Sequence, residues 1–327
     1  MRLLVTGGAG YVGSVVAAQL LATGHQVTVL DDLSTGHQDA VPPGAAFVRG
    51  TVRDKAASML TEHRIEAVLH FAASSLVGES VANPAKYWAN NLGSTLALLD
   101  AMRRAGTRRI IFSSTAAVYG DPERTPIEET APARPTSPYG ASKLAVDTAL
   151  TEWTRLSGFG AVSLRYFNVA GAQRTADGRW LAERHSPETH LIPNVLAGAD
   201  SGHGIQIFGD DYPTPDGTCV RDYVHVTDLA DAHLRALGAC EPGQHRIYNL
   251  GSEAGYSVRE VIDVCQEVTG HHISVSAAPR RPGDPAILVA SASRIKSDLG
   301  WQPRRDLNAM VIDAWQATDL NFSQVQE

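Results

Sequence analysis

The stretch Ser137-Pro138-Tyr139-Gly140-Ala141-Ser142-Lys143 sets a tyrosine and a lysine four residues apart. On a helix, that spacing stacks both side chains on one face, one turn apart. A free phenol titrates near ~10 and is a poor base at neutral pH, whereas a neighbouring ammonium favours the phenolate. A tyrosine held this way can take the proton of an alcohol if something nearby accepts the hydride that leaves with it. By itself Tyr-x-x-x-Lys is a common amphipathic stripe, so the acceptor must be sought elsewhere in the chain.

The N-terminus offers one. Thr6-Gly7-Gly8-Ala9-Gly10-Tyr11-Val12-Gly13 follows a short apolar run and precedes a helical pattern. Glycines at 7, 10 and 13 form a relative of the Rossmann fingerprint. Gly7 permits the tight turn, Gly10 lets backbone approach a pyrophosphate, and Gly13 allows close helix–strand packing. The unpaired N–H groups of the helix start face the anion. The second strand ends at Asp31-Asp32, and a carboxylate about 20 residues beyond such a loop accepts bonds from the adenosine ribose hydroxyls. It would repel a 2′-phosphate, which favours NAD over NADP. Asp31 is the expected ribose ligand; one of the two aspartates is equally explained by a solvated turn at DDLSTG.

A third group of hydroxyls, Ser113-Ser114-Thr115, closes the strand that begins at Arg109. Residues at the carboxyl end of a central strand lie beside the cofactor cleft. The order of residues favours Thr115 as proton partner of Tyr139, with Ser113 and Ser114 open alternatives. Tyr139 is then the general base and acid. Lys143 is expected to lower the tyrosine's pKa and to bind the nicotinamide ribose.

These groups need a scaffold. Short apolar runs at 2–6, 26–30, 46–48, 67–71, 109–113 and 162–166 alternate with helical patterns at 11–22, 56–63, 87–105 and 138–156. That alternation predicts βαβ units and a doubly wound parallel sheet buried on both faces. After residue 168 the alternation weakens, and Gly, Pro and polar residues cluster at 171–193 and 209–218. The predicted organisation is an α/β Rossmann-type domain over 1–168 and a smaller mixed α/β substrate domain over 169–327. Segments around 220–251 return to the first, namely a helix at 226–237 and a strand at 248–251. Later helices are expected at 257–269 and 307–318.

Of 327 residues 43% are hydrophobic, and the net charge is -7 with no basic run, which argues against a nucleic-acid partner. Cys219, Cys240 and Cys265 are widely spaced, so neither disulfides nor a metal site is expected. No apolar run approaches the ~20 residues of a membrane span, and the N-terminus lacks a signal-peptide pattern. A cytoplasmic enzyme is the expectation.

Taken together, TGGAGYVGS, HFAA, GESVANP, NNLGSTLALLDAM, FSSTAAVYG, SPYGASK and LRYFNVAGA resemble the extended short-chain dehydrogenase/reductase family. IFGDDYPTPDGTCVRDYVHVTDLADAH, IYNLGS and PRRPGDPA narrow the resemblance to its UDP-glucose 4-epimerase (UDP-galactose 4-epimerase) branch, over nearly the whole chain. The resemblance implies reversible C4 epimerisation of a UDP-hexose through a transient 4-keto sugar, tightly bound NAD, and a homodimer. It implies that Tyr11, Val12, Leu33, Thr35, Gly36, Thr51, Val52, Phe71, Ala72, Ala73, Asn91, Ser113 and Tyr166 border NAD. Phe167, Asn168, His190, Leu191, Phe208, Arg221, Arg281 and Asp284 would hold the UDP-sugar; arginines suit its diphosphate. For Arg221 the plainer alternative is a salt bridge to Asp222 or Asp228.

The chain departs from the family pattern in several places. Thr51-Val52 follows Gly50 where an aspartate often binds the adenine amine, and Ser74-Ser75 stands where a lysine often lies. Ala116-Ala117 after Thr115 removes the acid and base that a 4,6-dehydratase needs. Retention of Tyr139 and Lys143 argues against an NAD-sensing protein without chemistry. Leu288 falls where space for an N-acetyl group is set and leans toward plain hexoses, with UDP-N-acetylhexosamines and UDP-pentoses as alternatives.

Overall fold

Seven parallel strands make the central sheet. They are β1 (Arg2–Thr6), β2 (Gln26–Asp31), β3 (Ala46–Arg49), β4 (Ala67–His70), β5 (Arg109–Thr115), β6 (Gly160–Tyr166) and a returning edge strand, His245–Leu250. The order across the sheet is edge strand, β6, β5, β4, β1, β2, β3. Strand order reverses between β1 and β4, and that switch point opens a crevice at the carboxyl ends. The computed structural model describes residues 1–281 and 283–323; Pro282 of the PRRPGDPA stretch and residues 324–327 lie outside them.

Alternate residues of each strand bury opposite faces. Leu3 and Val5 meet Val15, Val16 and Leu20 of the helix Tyr11–Ala22 and Leu229 and Ala232 of the helix Val226–Gly238. Leu4 and Val68 meet Met59, Leu98, Met102, Val146 and Leu150 from three helices on the other face. The returning helix and strand are thus part of the first layer system. A separate core, with Val195, Leu196, Val261, Ile262, Met310 and Val311, joins the helices Leu191–Ser201, Val258–Thr269 and Leu307–Ser323. Short strands hold this region together: Ile205–Phe208 pairs with Val275–Ala278, and Val220–Arg221 lies between Tyr256–Ser257 and Ile287–Leu288.

Three elements differ from the sequence expectation. The expected helix over 87–105 is a short helix Pro84–Tyr87, a π turn Trp88–Gly93, and a helix Ser94–Ala105. Arg53 reaches across from its own helix and donates to Ala89 O at 2.7 Å and to Ser94 Oγ at 3.3 Å. A Cβ at Gly93 would stand 2.2 Å from that guanidinium, so the bulge and the glycine belong together. The helix expected from Ala56 starts at Val52 because Thr51 caps it, accepting from Asp54 N at 3.2 Å. The helix Leu191–Ser201 is hidden in sequence by Pro193 and Gly198. Proline is tolerated in a first turn, and a Cβ at Gly198 would come within 2.9 Å of His203 O.

Candidate active site

Tyr139 is placed by a cap and a close approach. Ser137 caps the helix Pro138–Ser157, accepting from Gly140 N at 3.1 Å, and Pro138 opens the first turn. A Cβ at Gly140 would lie 2.3 Å from Ala117 O, so this helix start rests directly on the turn that follows β5. That turn is capped by Thr115, whose hydroxyl accepts from Ala117 N at 3.1 Å. The same Thr115 hydroxyl is the side-chain group that acts on the Tyr139 phenol and holds its pKa down. The ring of Tyr87 meets Tyr139 edge-on at 6.3 Å between centroids.

Lys143, one turn on, is 2% exposed. Its Nζ donates to Ser113 O at 2.8 Å and lies 4.8 Å above the Phe112 ring. Burial pulls its pKa down to about 7, against the opposing pull of Asp147. The tyrosine runs the other way from the sequence expectation. Burial raises its pKa, with the Thr115 hydrogen bond opposing. Ser114 is turned away from the site, donating to the buried Asp147 at 3.2 Å. Thr115 is therefore the strand-end hydroxyl on the tyrosine. Ser113 Oγ instead meets the Tyr166 hydroxyl.

The electrostatics of Lys143 give a stability prediction. Its folded pKa lies below the unfolded value of ~10.4. Between about 7 and ~10 the unfolded chain binds more protons at this residue, so stability from this group rises with pH. Lys143→Met removes that dependence. Melting curves of the cofactor-free protein should show the variant's Tm advantage greatest at pH 6 and shrinking toward pH 10. A difference independent of pH contradicts a buried ammonium.

The glycine loop has the geometry of an anion cradle. Gly7 adopts φ +74°, and a Cβ at Gly13 would lie 2.2 Å from Gly7 O. The helix Tyr11–Ala22 begins at Gly10 with no side-chain cap and no acidic residue in its first turn, leaving its N–H groups for an external anion. Gly36 packs on Ala9, and His37 N donates to Ala9 O at 2.8 Å, which brings the Leu33–Gly36 turn to the loop. Asp31 accepts from Ala9 N and Leu33 N, both at 2.9 Å, one bond per carboxylate oxygen, with a lone pair left on each. Burial raises its pKa, opposed by those two N–H groups. Asp32 is exposed and accepts from Ser34 N at 2.9 Å, the solvated-turn alternative. These residues fit a dinucleotide's pyrophosphate and ribose.

Other expected cofactor neighbours have different tasks. The Thr51 hydroxyl is taken up by capping, and Val52 is buried in the core, so only backbone at these two positions can face a ligand. Phe71 N and Ala72 N both donate to Thr6 O, fixing the start of the loop after β4. Asn91 is 2% exposed and spends its amide inside the protein. It accepts from Ser74 N at 2.8 Å and donates to Ser74 O and Ser142 Oγ, both at 3.0 Å. It therefore ties Ala73-Ser74 to the Tyr139 helix and positions the site rather than ligating. Ser74, where the family often approaches a lysine, is the partner of that clamp.

In the second region, Arg221 pairs with Asp284, not with Asp222 or Asp228, and donates to Val220 O at 2.7 Å. Asp222 is taken by Ser252, Glu253 and Ala290, and Asp228 by the N–H groups of Arg304 and Arg305. The Arg281 guanidinium lies 4.0 Å from the Phe208 ring centroid. Arg221, Asp284 and Arg281 all act on the buried Cys219 thiol, whose pKa is raised first by burial, so the group is brought together. Phe167 is buried beside Ala116 and Leu288. Asn168 lies next, at the start of the strand Asn168–Ala170, its main-chain N–H donating to Asp222 O.

His190 is the clearest departure. Its Nδ1 lies 2.7 Å from Glu183 and 3.1 Å from Glu188. Burial lowers its pKa, but those two carboxylates outweigh it and take it up to about 10. The side chain is thus committed to its own segment, whereas Leu191 opens the next helix. The sequence reading expected no metal-ligating group. Glu183, His185, Glu188 and His190 nonetheless cluster here within 4.8 Å, from a Glu-x-His-x-x-Glu-x-His spacing that carries no cysteine.

Comparison with known proteins gives consistent results. Residues 3–251 match the family described as NAD dependent epimerase/dehydratase. A protein of Streptomyces lividans named UDP-glucose 4-epimerase is 56% identical over 319 residues, covering 96% of this chain and 95% of its own length. One of the same name from Corynebacterium glutamicum is 54% identical over 321 residues, covering 97% and 96%. The crystal structure of UDP-glucose-4-epimerase from Stenotrophomonas maltophila, with bound NAD and formylated UDP-arabinopyranose, superposes with a TM-score of 0.94 at 38% identity, covering 99% of each chain.

Proposed function

Because the chain belongs to the NAD dependent epimerase/dehydratase family, we propose that it interconverts UDP-glucose and UDP-galactose by reversible C4 epimerisation, with NAD as its cofactor. The observation that carries this is the junction of Tyr139 and Thr115 at the carboxyl end of β5, facing the crevice that the glycine loop lines. Bound there, NAD supplies a hydride acceptor and donor for C4 of the sugar.

The protein's own part is proton handling, positioning and binding. Tyr139 takes the proton of the C4 hydroxyl, directly or through Thr115, and gives it back to the C4 oxygen when the turned 4-keto sugar is reduced on its opposite face. Ala117, held against Gly140, keeps the two hydroxyls in register. Lys143, held by Ser113 O, binds the nicotinamide ribose. Asp31 holds the adenosine ribose. Phe208, Arg221, Arg281 and Asp284 hold the uridine diphosphate, with Phe167, Asn168 and Leu191 along the sugar. Strong binding of UDP and weak binding of hexose is the distribution that lets the sugar turn between half-reactions.

The division of labour we propose is 1–168, with the returning segments around 220–251, for NAD, and 169–327 for the UDP-sugar. Leu288 packs near Ala116 and Phe167, which supports plain hexoses over N-acetylated ones. A homodimer is supported by Trp88 and Leu96, exposed apolar side chains on the helical face beside the Tyr139 helix. No helix among the described residues is long and apolar enough to cross a membrane, and a cytoplasmic location fits the three free cysteines.

The decisive assay incubates the purified protein with UDP-galactose and no added NAD. Formation of UDP-glucose is expected, with UDP-N-acetylgalactosamine turned over more slowly. No conversion of either sugar, with NAD then supplied, overturns the proposal.

A further inference from the structure

We propose that Glu183, His185, Glu188 and His190 form a closed, four-coordinate site for one Zn²⁺ ion. Each side chain turns one ligand atom toward a common point, and the four atoms lie within 4.8 Å of one another. Glu183 Oε1 is 2.9 Å from His185 Nδ1 and 2.7 Å from His190 Nδ1. Glu188 oxygens are 3.8 Å and 3.1 Å from the same two nitrogens. A tetrahedron with Zn–N and Zn–O bonds of ~2.0 Å has edges of about 3.3 Å, and the four separations bracket that value.

Burial and charge point the same way. The Glu183 side chain is 8% exposed. Among the described residues no lysine or arginine pairs with it; the two imidazoles are its ion-pair partners. His185 Nδ1 is buried, faces the carboxylates, and makes no hydrogen bond. A ring nitrogen 2.9 Å from a carboxylate oxygen and not hydrogen-bonded to it, as His185 Nδ1 is to Glu183, is satisfied by a cation shared between the two. Two carboxylates and two neutral imidazoles balance a dication, which removes the cost of a buried uncompensated charge. Mixed nitrogen and oxygen donors, four in number, suit Zn²⁺ better than Ca²⁺ or Mg²⁺, which take six or more oxygens. All four positions are filled by protein, so the ion's task is structural.

The neighbourhood shows what it would pin. Arg184 O accepts from His37 Nε2 at 2.9 Å, and Arg184 makes a two-pronged pair with Asp39 at 2.9 Å per bond. The Tyr11 hydroxyl, from the glycine loop, donates to Gly171 O at 2.5 Å on the same side. His190 directly precedes the helix that begins at Leu191. The ion would cross-link the 183–190 segment between the cofactor loop and that helix, whatever the sugar substrate.

The test uses the untagged full chain, stripped by dialysis against a chelator and re-equilibrated with Zn²⁺. Elemental analysis should find about one zinc per chain, and Tm should rise by several degrees with Zn²⁺ concentration. Co²⁺ in place of zinc should give the intense visible absorption of a tetrahedral site. All three readouts should be lost in His185→Ala and in Glu188→Gln, and kept in His272→Ala, which alters an exposed histidine elsewhere. Wild-type protein that takes up no zinc overturns the proposal, independently of whether the variants fold. So does equal zinc uptake by wild type, His185→Ala and Glu188→Gln.

Discussion

Tyr139→Phe should cut turnover of UDP-galactose by roughly 10²–10⁴-fold, the ordinary contribution of a positioned acid and base. The substitution removes one oxygen, whose partner is Thr115. The ring keeps its edge contact with Tyr87 and its place on a helix fixed by Ser137 and Gly140. Tm and NAD content should therefore stay close to wild type, and KM for the UDP-sugar should change little, because uridine diphosphate is held elsewhere. Steady-state rates with matched nucleotide content measured by release and chromatography check this. A rate within tenfold of wild type would remove Tyr139 from the reaction.

Gly7→Ala should abolish cofactor retention and lower Tm by several degrees. Gly7 has φ +74°, which costs an L-residue about 1–2 kcal/mol. Its new Cβ would also lie 2.5 Å from Ala72 N and 2.8 Å from Phe71 C. Neither backbone can retreat cheaply, because Phe71 N and Ala72 N both donate to Thr6 O, and Gly7 N itself donates to Leu30 O at 2.8 Å. The loop must open instead, and with it the helix start that receives pyrophosphate. Gly10→Ala is the internal control: its Cβ meets only Gly7 O, at 3.4 Å, and the protein should keep its fold. Bound nucleotide per chain and calorimetric Tm report both. Wild-type values for Gly7→Ala would show that the loop is not the rigid cradle described above.

Most of the sheet was legible because its strands are short apolar runs separated by helices of clear period. The helix Tyr11–Ala22 and the strand Arg2–Thr6 have the ends expected from glycine punctuation. What failed were elements whose cause lies elsewhere in the chain. The π turn at Trp88–Gly93 depends on Arg53, some forty residues earlier. The helix at Leu191–Ser201 contains Pro193 and Gly198, which read locally as breakers. Asn91 was expected to border the cofactor, and its task as a clamp between Ser74 and Ser142 is invisible without the tertiary contact.

The sequence alone determined the chemistry on offer: a tyrosine four residues before a lysine, hydroxyls ending a strand, a glycine loop and an aspartate twenty-odd residues on. Those are patterns of local spacing, and local geometry follows from backbone periodicity. The tertiary structure decided what each group does with its charge. Burial, a property of everything packed around a residue, weakens the Lys143 ammonium and raises the Tyr139 phenol. It also set Arg221 against Asp284 rather than its sequence neighbours, and gathered Glu183, His185, Glu188 and His190 around one point. Electrostatic partners are chosen by distance in space and by the loss of water, and neither is written in the spacing of residues along a chain.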